Sequence, residues 1–362
     1  MTAYTTINDP SAYFTTLLYT GNSSNPRTMS NSANAGDFKP DIVYVKNRGA
    51  SNEPALWDSQ RGHSKALYTD GSAAEANDNA VNAFNTNGFT INSNGINTNT
   101  NTYVAWQWKV NGGVSTGSGS ESGSNPAYNH QANTTAGISI VTYTGTGSAG
   151  TVPHGLGVAP YFMIVKNRTN TGRSFVQFIT SNGSGFPNRT DAMELNSDIA
   201  PYDSAGYWND TNPTSTVFTV GNGTETNEDA SNHVAWVFRE VPGFSKFGHY
   251  KGTGSNDGQF VNCGFEPAWI LIKKAAVADW QIRDRERDPH NELSDQIIFP
   301  DLLSAEISST NNLIDFRANG FKLHGSGGDH NGDQVTFIYL AFAHHPTVTS
   351  TGVPCTAALI NY

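Results

Sequence analysis

Two short stretches pair an aspartate with an arginine three residues on, behind a tryptophan. They are Trp57-Asp58-Ser59-Gln60-Arg61 and, after Trp280, Asp284-Arg285-Glu286-Arg287. That spacing lets a guanidinium close on a carboxylate with directional, charge-assisted bonds. Asp58, Arg61, Asp284 and Arg287 are therefore candidates for a ligand-facing charged pocket. The competing reading, which we favour, is a partly buried bridge that pins its own loop. A third stretch, Asp329-His330-Asn331-Gly332-Asp333, offers oxygen ligands at positions one, three and five, as a calcium loop does. It lacks the turn glycine after Asp333 and a closing glutamate, and a hairpin turn at Asn331-Gly332 explains it as well. Hence no cofactor is expected, with calcium at Asp329, Asn331 and Asp333 as the alternative. Tyr207 and Trp208 lie among Ser, Asn and Asp, a setting for stacking on sugar rings; a core plug or a subunit contact is the equal alternative. His344 and His345 are neighbours and would face opposite sides of a strand, so they do not form a zinc site. The acidic and basic residues from Arg283 to Asp295 read as a solvated loop, and no carboxylate pair stands out as glycosidase machinery.

These residues need a scaffold, and one stretch of it occurs three times. Pro40-Asp41-Ile42-Val43-Tyr44-Val45-Lys46, Pro160-Tyr161-Phe162-Met163-Ile164-Val165-Lys166 and Pro267-Ala268-Trp269-Ile270-Leu271-Ile272-Lys273 each run from a proline through apolar residues to a lysine. An apolar run with no polar face reads as a strand covered on both sides, with proline at its entry. Each copy opens on a Tyr-x-Gly stretch (Tyr19-Thr20-Gly21, Tyr143-Thr144-Gly145, Tyr250-Lys251-Gly252) and closes on Tyr103-Val104-Ala105-Trp106, His233-Val234-Ala235-Trp236 or Tyr339-Leu340-Ala341-Phe342. Asn-Gly pairs at Asn87, Asn94, Asn182, Asn222, Asn319 and Asn331 mark turns. The expected fold is all-β: three tandem β-sandwich repeats, jelly-roll or Ig-like, of about 100 residues each.

The expected boundaries are residues 1–110 for repeat one with its leader, 137–241 for repeat two and 242–346 for repeat three. Residues 111–136 have the Gly/Ser/Asn composition of a flexible linker, and 347–362 form a tail whose Ala357-Ala358-Leu359-Ile360 could dock on a neighbour. Repeats two and three, joined by a short connector with Pro242, are expected to hold together with repeat one set apart. The 362 residues carry a net charge of −10 and 14% charged residues, which argues against a phosphate-reading nucleic-acid partner. No signal peptide and no apolar run long enough to span a membrane is read in the sequence. Cys263 and Cys355 are expected as free thiols.

Four elements together resemble a group of marine bacteriophage virion proteins, cyanophage tail-fibre or virion structural proteins built of tandem β-domains. They are Asn8-Asp9-Pro10-Ser11-Ala12-Tyr13-Phe14 leading to Leu18-Tyr19-Thr20-Gly21, Pro40-Asp41-Ile42-Val43 with Val45-Lys46-Asn47-Arg48, His154-Gly155-Leu156-Gly157-Val158-Ala159-Pro160, and Tyr339-Leu340-Ala341-Phe342-Ala343. The tail from Val348 to Pro354 is similar as well. The resemblance implies a place rather than a reaction: the outside of a virion assembled in a host cytoplasm and released by lysis. It implies tail or capsid proteins as partners and a non-enzymatic tail-fibre or adhesin role with host-surface glycans as ligand. Capsid decoration is the alternative, favoured by the lack of a distinct anchoring module ahead of repeat one, and a polysaccharide-degrading enzyme is a distant third. A homo-oligomer, as in trimeric fibres, is expected, although three copies in one chain can also build a pseudo-threefold body alone.

Overall fold

The computed structural model describes residues 5–31, 38–172, 174–179, 191–288, 294–348 and 351. Strands dominate, and the α-helical segments among the described residues are single turns at Ala205–Trp208, Thr224–Asn227 and Gly328–Asn331. The chain is all-β, in several sheets.

Four strands recur in one antiparallel order, here named opening, closing, central and lateral. They are Phe14–Thr20, Thr102–Trp108, Ile42–Asn47 and Ala55–Asp58, then Ile138–Thr144, Asn232–Phe238, Phe162–Asn167 and Phe175–Ile179. The third set is Ser245–Lys251, Thr336–Pro346, Phe265–Lys274 and Gln281–Asp284. We call each set, with the smaller sheet that backs it, a unit. The smaller sheets hold Gly88–Ile91, Val217–Val220 and Gly320–His324.

Side chains alternate across a strand, and the central strands use both faces. Val43 and Val45 pack with Phe89 and Ile91, Met163 and Val165 with Phe218 and Val220, and Ile270 and Ile272 with Phe321 and Leu323. The opposite faces, with Ile42, Tyr44, Phe162, Trp269 and Leu271, meet in one cluster shared by all three units. That shared cluster is why the runs carry no polar face. Pro40 and Pro160 precede their strands, whereas Pro267 lies inside its strand at a register shift, a place where a missing donor is tolerated.

The Tyr-x-Gly stretches are locks. The Tyr19, Tyr143 and Tyr250 hydroxyls donate to the carbonyls of Ile96, Thr226 and His330. The next residues, Asn97, Asn227 and Asn331, each accept from a backbone N–H of the turn after the opening strand and donate back to carbonyls there. A Cβ on Gly21, Gly145 or Gly252 would run into the carbonyl oxygen of Thr98, Glu228 or Gly332, so only glycine lets these chains approach. Of the Asn-Gly pairs, Asn87 and Asn319 sit in tight two-residue hairpins. Asn182 lies outside the described residues.

Two sequence expectations fail here. Residues 111–136 are not a flexible linker: Gly117–Gly119 pairs with Ala127–Asn133, which pairs along seven residues with the opening strand of unit two. The glycines misled the reading. They are strand positions over which aromatic rings lie, since a Cβ on Gly117 would meet the His130 ring and one on Gly119 the Tyr128 ring. Nor is repeat one set apart, because it contacts both other units in a closed ring. Cys263 is a buried free thiol; Cys355 and the segment from Ala357 to Ile360 lie outside the described residues.

Candidate functional site

The penultimate residue of each central strand is a lysine that reaches into the preceding unit of the ring. Lys46 Nζ donates to Leu302 O (2.8 Å) and Leu303 O (3.0 Å) of unit three, Lys166 Nζ to Ser72 O (3.3 Å) of unit one, and Lys273 Nζ to Asp198 O (2.9 Å) of unit two. A backbone bond repeats beside each: Asn52 N to Leu303 O, Gly172 N to Ser72 O and Ala278 N to Asp198 O. Burial lowers the Lys46 and Lys273 ammonium pKa values to about 8, against the pull of Asp70 and Asp301 and of Asp301 and Asp198. The three contacts between units are the seams.

Two seams carry a charged cluster built from the predicted Asp–Arg pairs. Arg61 Nε lies 2.6 Å from Asp58 Oδ2, its backbone N–H caps Asp58 Oδ1 at 2.9 Å, and Nη1 reaches Glu75 at 3.0 Å. From unit two, Arg168 clamps Glu75 with two bonds, Trp236 Nε1 donates to Asp58 Oδ2 (3.1 Å), and the Arg61 guanidinium lies over the Trp236 ring at 5.5 Å. The seam between units three and one repeats this atom for atom. Arg287 Nε is 2.6 Å from Asp284 Oδ2, Nη1 is 2.7 Å from Glu306, Arg48 clamps Glu306, and Trp106 Nε1 donates to Asp284 Oδ2 at 3.0 Å. Burial pushes the Glu75 and Glu306 carboxyls up, but the paired guanidiniums hold both below the usual range. Burial also works against the Arg287 cation, yet Asp284 and Glu306 raise its pKa.

Among the described residues, the seam between units two and three has none of these groups. Leu340 stands where Trp106 and Trp236 stand, because Leu271 pairs with Leu340 as Tyr44 does with Trp106. Ile179 takes the register position of Asp58 and Asp284, Ala275 follows the strand end where Arg48 and Arg168 do, and Pro201 falls where Glu75 and Glu306 fall. Among the described residues, apolar contact remains, with bonds from Trp280 Nε1 to Glu194 O (2.9 Å), from Lys273 Nζ to Asp198 O and from Ala278 N to Asp198 O.

These positions decide the predicted site residues. Asp58, Arg61, Asp284 and Arg287 have side chains shut off from solvent, so they do not face a ligand; they pin their loops, through Leu56 O and Ile282 O, and also join units. Trp208 is fully buried among Val141, Phe218 and Val220, so it presents no stacking face. Tyr207 is half-buried, its hydroxyl accepting from Tyr202. Around the expected calcium loop, Gly328–Asn331 is a helical turn rather than a hairpin. The Asn331 amide is spent on Thr253, Ser255 and Gly325, Asp329 faces Lys274 at 3.7 Å, and Asp333 is exposed, so the three do not converge. No group of three metal-ligating side chains occurs among the described residues.

Unit two carries a recess of about 240 Å³. The added strand Ala127–Asn133 builds one wall with Tyr128 and Asn129; Thr142 and Thr144 form the floor, and Arg168 and Asn232 the far side. Threonines, asparagines, Tyr128, Tyr143 and one charged residue, Arg168, line it, and no carboxylate does. Units one and three have no such strand on their opening strands among the described residues. Its signal in the sequence was the very stretch whose composition looked like a linker.

A family model described as a domain of unknown function, DUF7483, matches residues 9–346. No curated protein matches. A solved structure described as "Crystal Structure of the STIV MCP" aligns with 9% identity over 56% of this chain and 93% of that chain, at a TM-score of 0.20. A likeness of that size carries no argument about fold or role. Among the described residues no helix is long and apolar enough to cross a membrane.

Proposed function

From the premise that the chain belongs to the DUF7483 family, we propose that it is a non-enzymatic virion surface protein. In this reading three two-sheet units of one chain close into a single body that serves as a tail-fibre or adhesin subunit and contacts host-surface glycans. The observation that carries the proposal is how the polar groups divide. The buried charged pairs tie units together, while the open recess on unit two offers hydroxyls and amides from Thr142, Thr144, Asn129 and Asn232 beside Tyr128. Such a lining suits hydrogen-bonding to sugar hydroxyls with a ring against an aromatic edge. Glycoside cleavage needs two carboxyl groups across the scissile bond, and none lines the recess. The virion setting rests on the sequence resemblance.

The ring itself favours a second reading, capsid decoration, because a body with three near-equivalent faces can seat on a local three-fold position in one copy. Immunogold labelling of intact particles tests both: label at the tail supports the first, label over the shell supports the second, and unlabelled particles overturn the virion role. Retention of the full chain on host-envelope polysaccharide, reduced by Asn232→Ala, tests the glycan contact.

A further inference from the structure

The three inner sheet faces enclose a cavity of about 80 Å³ at the centre of the ring. Its walls come in equivalent sets, Tyr44, Ile164 and Leu271 from the central strands and Thr69, Leu195 and Pro300 around them, with Leu340 and Trp236 from the closing strands. No polar atom is exposed on its wall. The hydroxyls nearest to it are spent, Tyr44 Oη on Thr69 (2.7 Å) and Thr69 Oγ1 on Pro300 O (2.6 Å), and the Trp236 N–H is on Asp58; the indole N–H groups of Trp108 and Trp269, which also line it, have no hydrogen-bond partner but are turned away from the open space.

The cavity has a cause in the sequence. Where units one and two send an indole across a seam, unit three has Leu340, and the side chains that would hold an indole there are absent as well. The space is left by a smaller side chain at one of three equivalent positions. Because a void without polar partners stays dry, its wall lacks contacts on one side.

We infer that this cavity is a binding site for one small, uncharged, apolar molecule. An apolar cavity of about 150 Å³ admits benzene or xenon, so this smaller one takes a xenon atom or a hydrocarbon of roughly two to four carbons. The bound molecule touches all three units at once, so its binding and the closure of the ring support each other. The inference is independent of the role proposed above.

Crystals of the full chain pressurised with xenon test it. One xenon peak against Leu340, Ile164 and Leu271 is expected, with its occupancy lost in Leu340→Phe and in Leu271→Phe. Two variants are used so that one misfolded protein leaves the other to report. Ordered water in the cavity, no xenon peak in the unsubstituted protein, or a peak that survives in a folded variant would each overturn the inference.

Discussion

The seams of this ring are held in two different ways. Between units one and two and between three and one, a tryptophan, an aspartate, two arginines and a glutamate interlock, with the aspartate and its own arginine shut off from solvent and the second arginine partly exposed. Between two and three, among the described residues, apolar contact and bonds to backbone carbonyls take their place. Chain connectivity explains part of the contrast. Units two and three follow each other through a short connector, Arg239 to Phe244, which keeps the local concentration of their faces high. The seam between three and one joins the two ends of the chain with no connector. There, directional bonds with a fixed geometry choose which faces meet, a use of buried ions in which specificity outweighs net stability. Charged clusters belong where recognition has to be specified, and an apolar seam is enough where the chain already enforces proximity.

The largest way to break the contrast is Asp284→Ala. It removes the carboxylate paired with the buried Arg287 Nε and leaves the Trp106 N–H without its acceptor, and chemical denaturation should show a loss of about 3–5 kcal/mol. Asp58→Ala should cost the same, since the cluster is the same. Next is Trp236→Leu, which gives the first seam the residue the third seam has. We expect a loss of about 2–3 kcal/mol by the same measurement. Leu340→Ala, at the apolar seam, should cost less than Trp236→Ala; equal costs would mean the seams do not differ as described.

Features shared by all three units should respond equally, and this sharpens the comparison. Tyr19→Phe, Tyr143→Phe and Tyr250→Phe each orphan one carbonyl, and each should cost about 1–2 kcal/mol. Unequal values would show that the units are not equivalent even in their locks.

The smallest effect concerns pH. Burial, aided by Asp279, raises the Asp301 carboxyl to about 7 against the Trp280 N–H it accepts and the Lys273 charge. The folded protein therefore holds a proton that the unfolded chain has released above about pH 4. Stability from this group is present at low pH and is lost as pH rises toward 7. In unit two the same place is taken by Asn196, whose Oδ1 accepts from Phe175 N. Asp301→Asn should keep the bond and flatten the fall in Tm between pH 4 and 7.

Much of the scaffold was legible because it follows from local physics. A two-faced apolar strand, a Tyr-x-Gly turn and an Asp three residues before an Arg each announce a geometry. Trp208 was ambiguous because an aromatic among polar residues looks alike whether it points in or out. The seams were illegible for a different reason: Trp106 and Asp284 lie far apart in sequence, and no periodicity says which unit a face will meet. The absence of Asp-x-x-Arg from repeat two is visible in the sequence, but its meaning depends on Pro201 in the same unit and on Leu340 and Ala275 across the seam. The added strand at 127–133 was hidden by glycines that serve ring packing instead of flexibility.

Three units of one chain close into a single compact ring. Small-angle X-ray scattering of the full chain in dilute solution tests it most directly. A closed body of 362 residues predicts a radius of gyration of about 21 Å with a single-peaked distance distribution. A markedly larger radius, with a second peak from a unit standing apart, would contradict it.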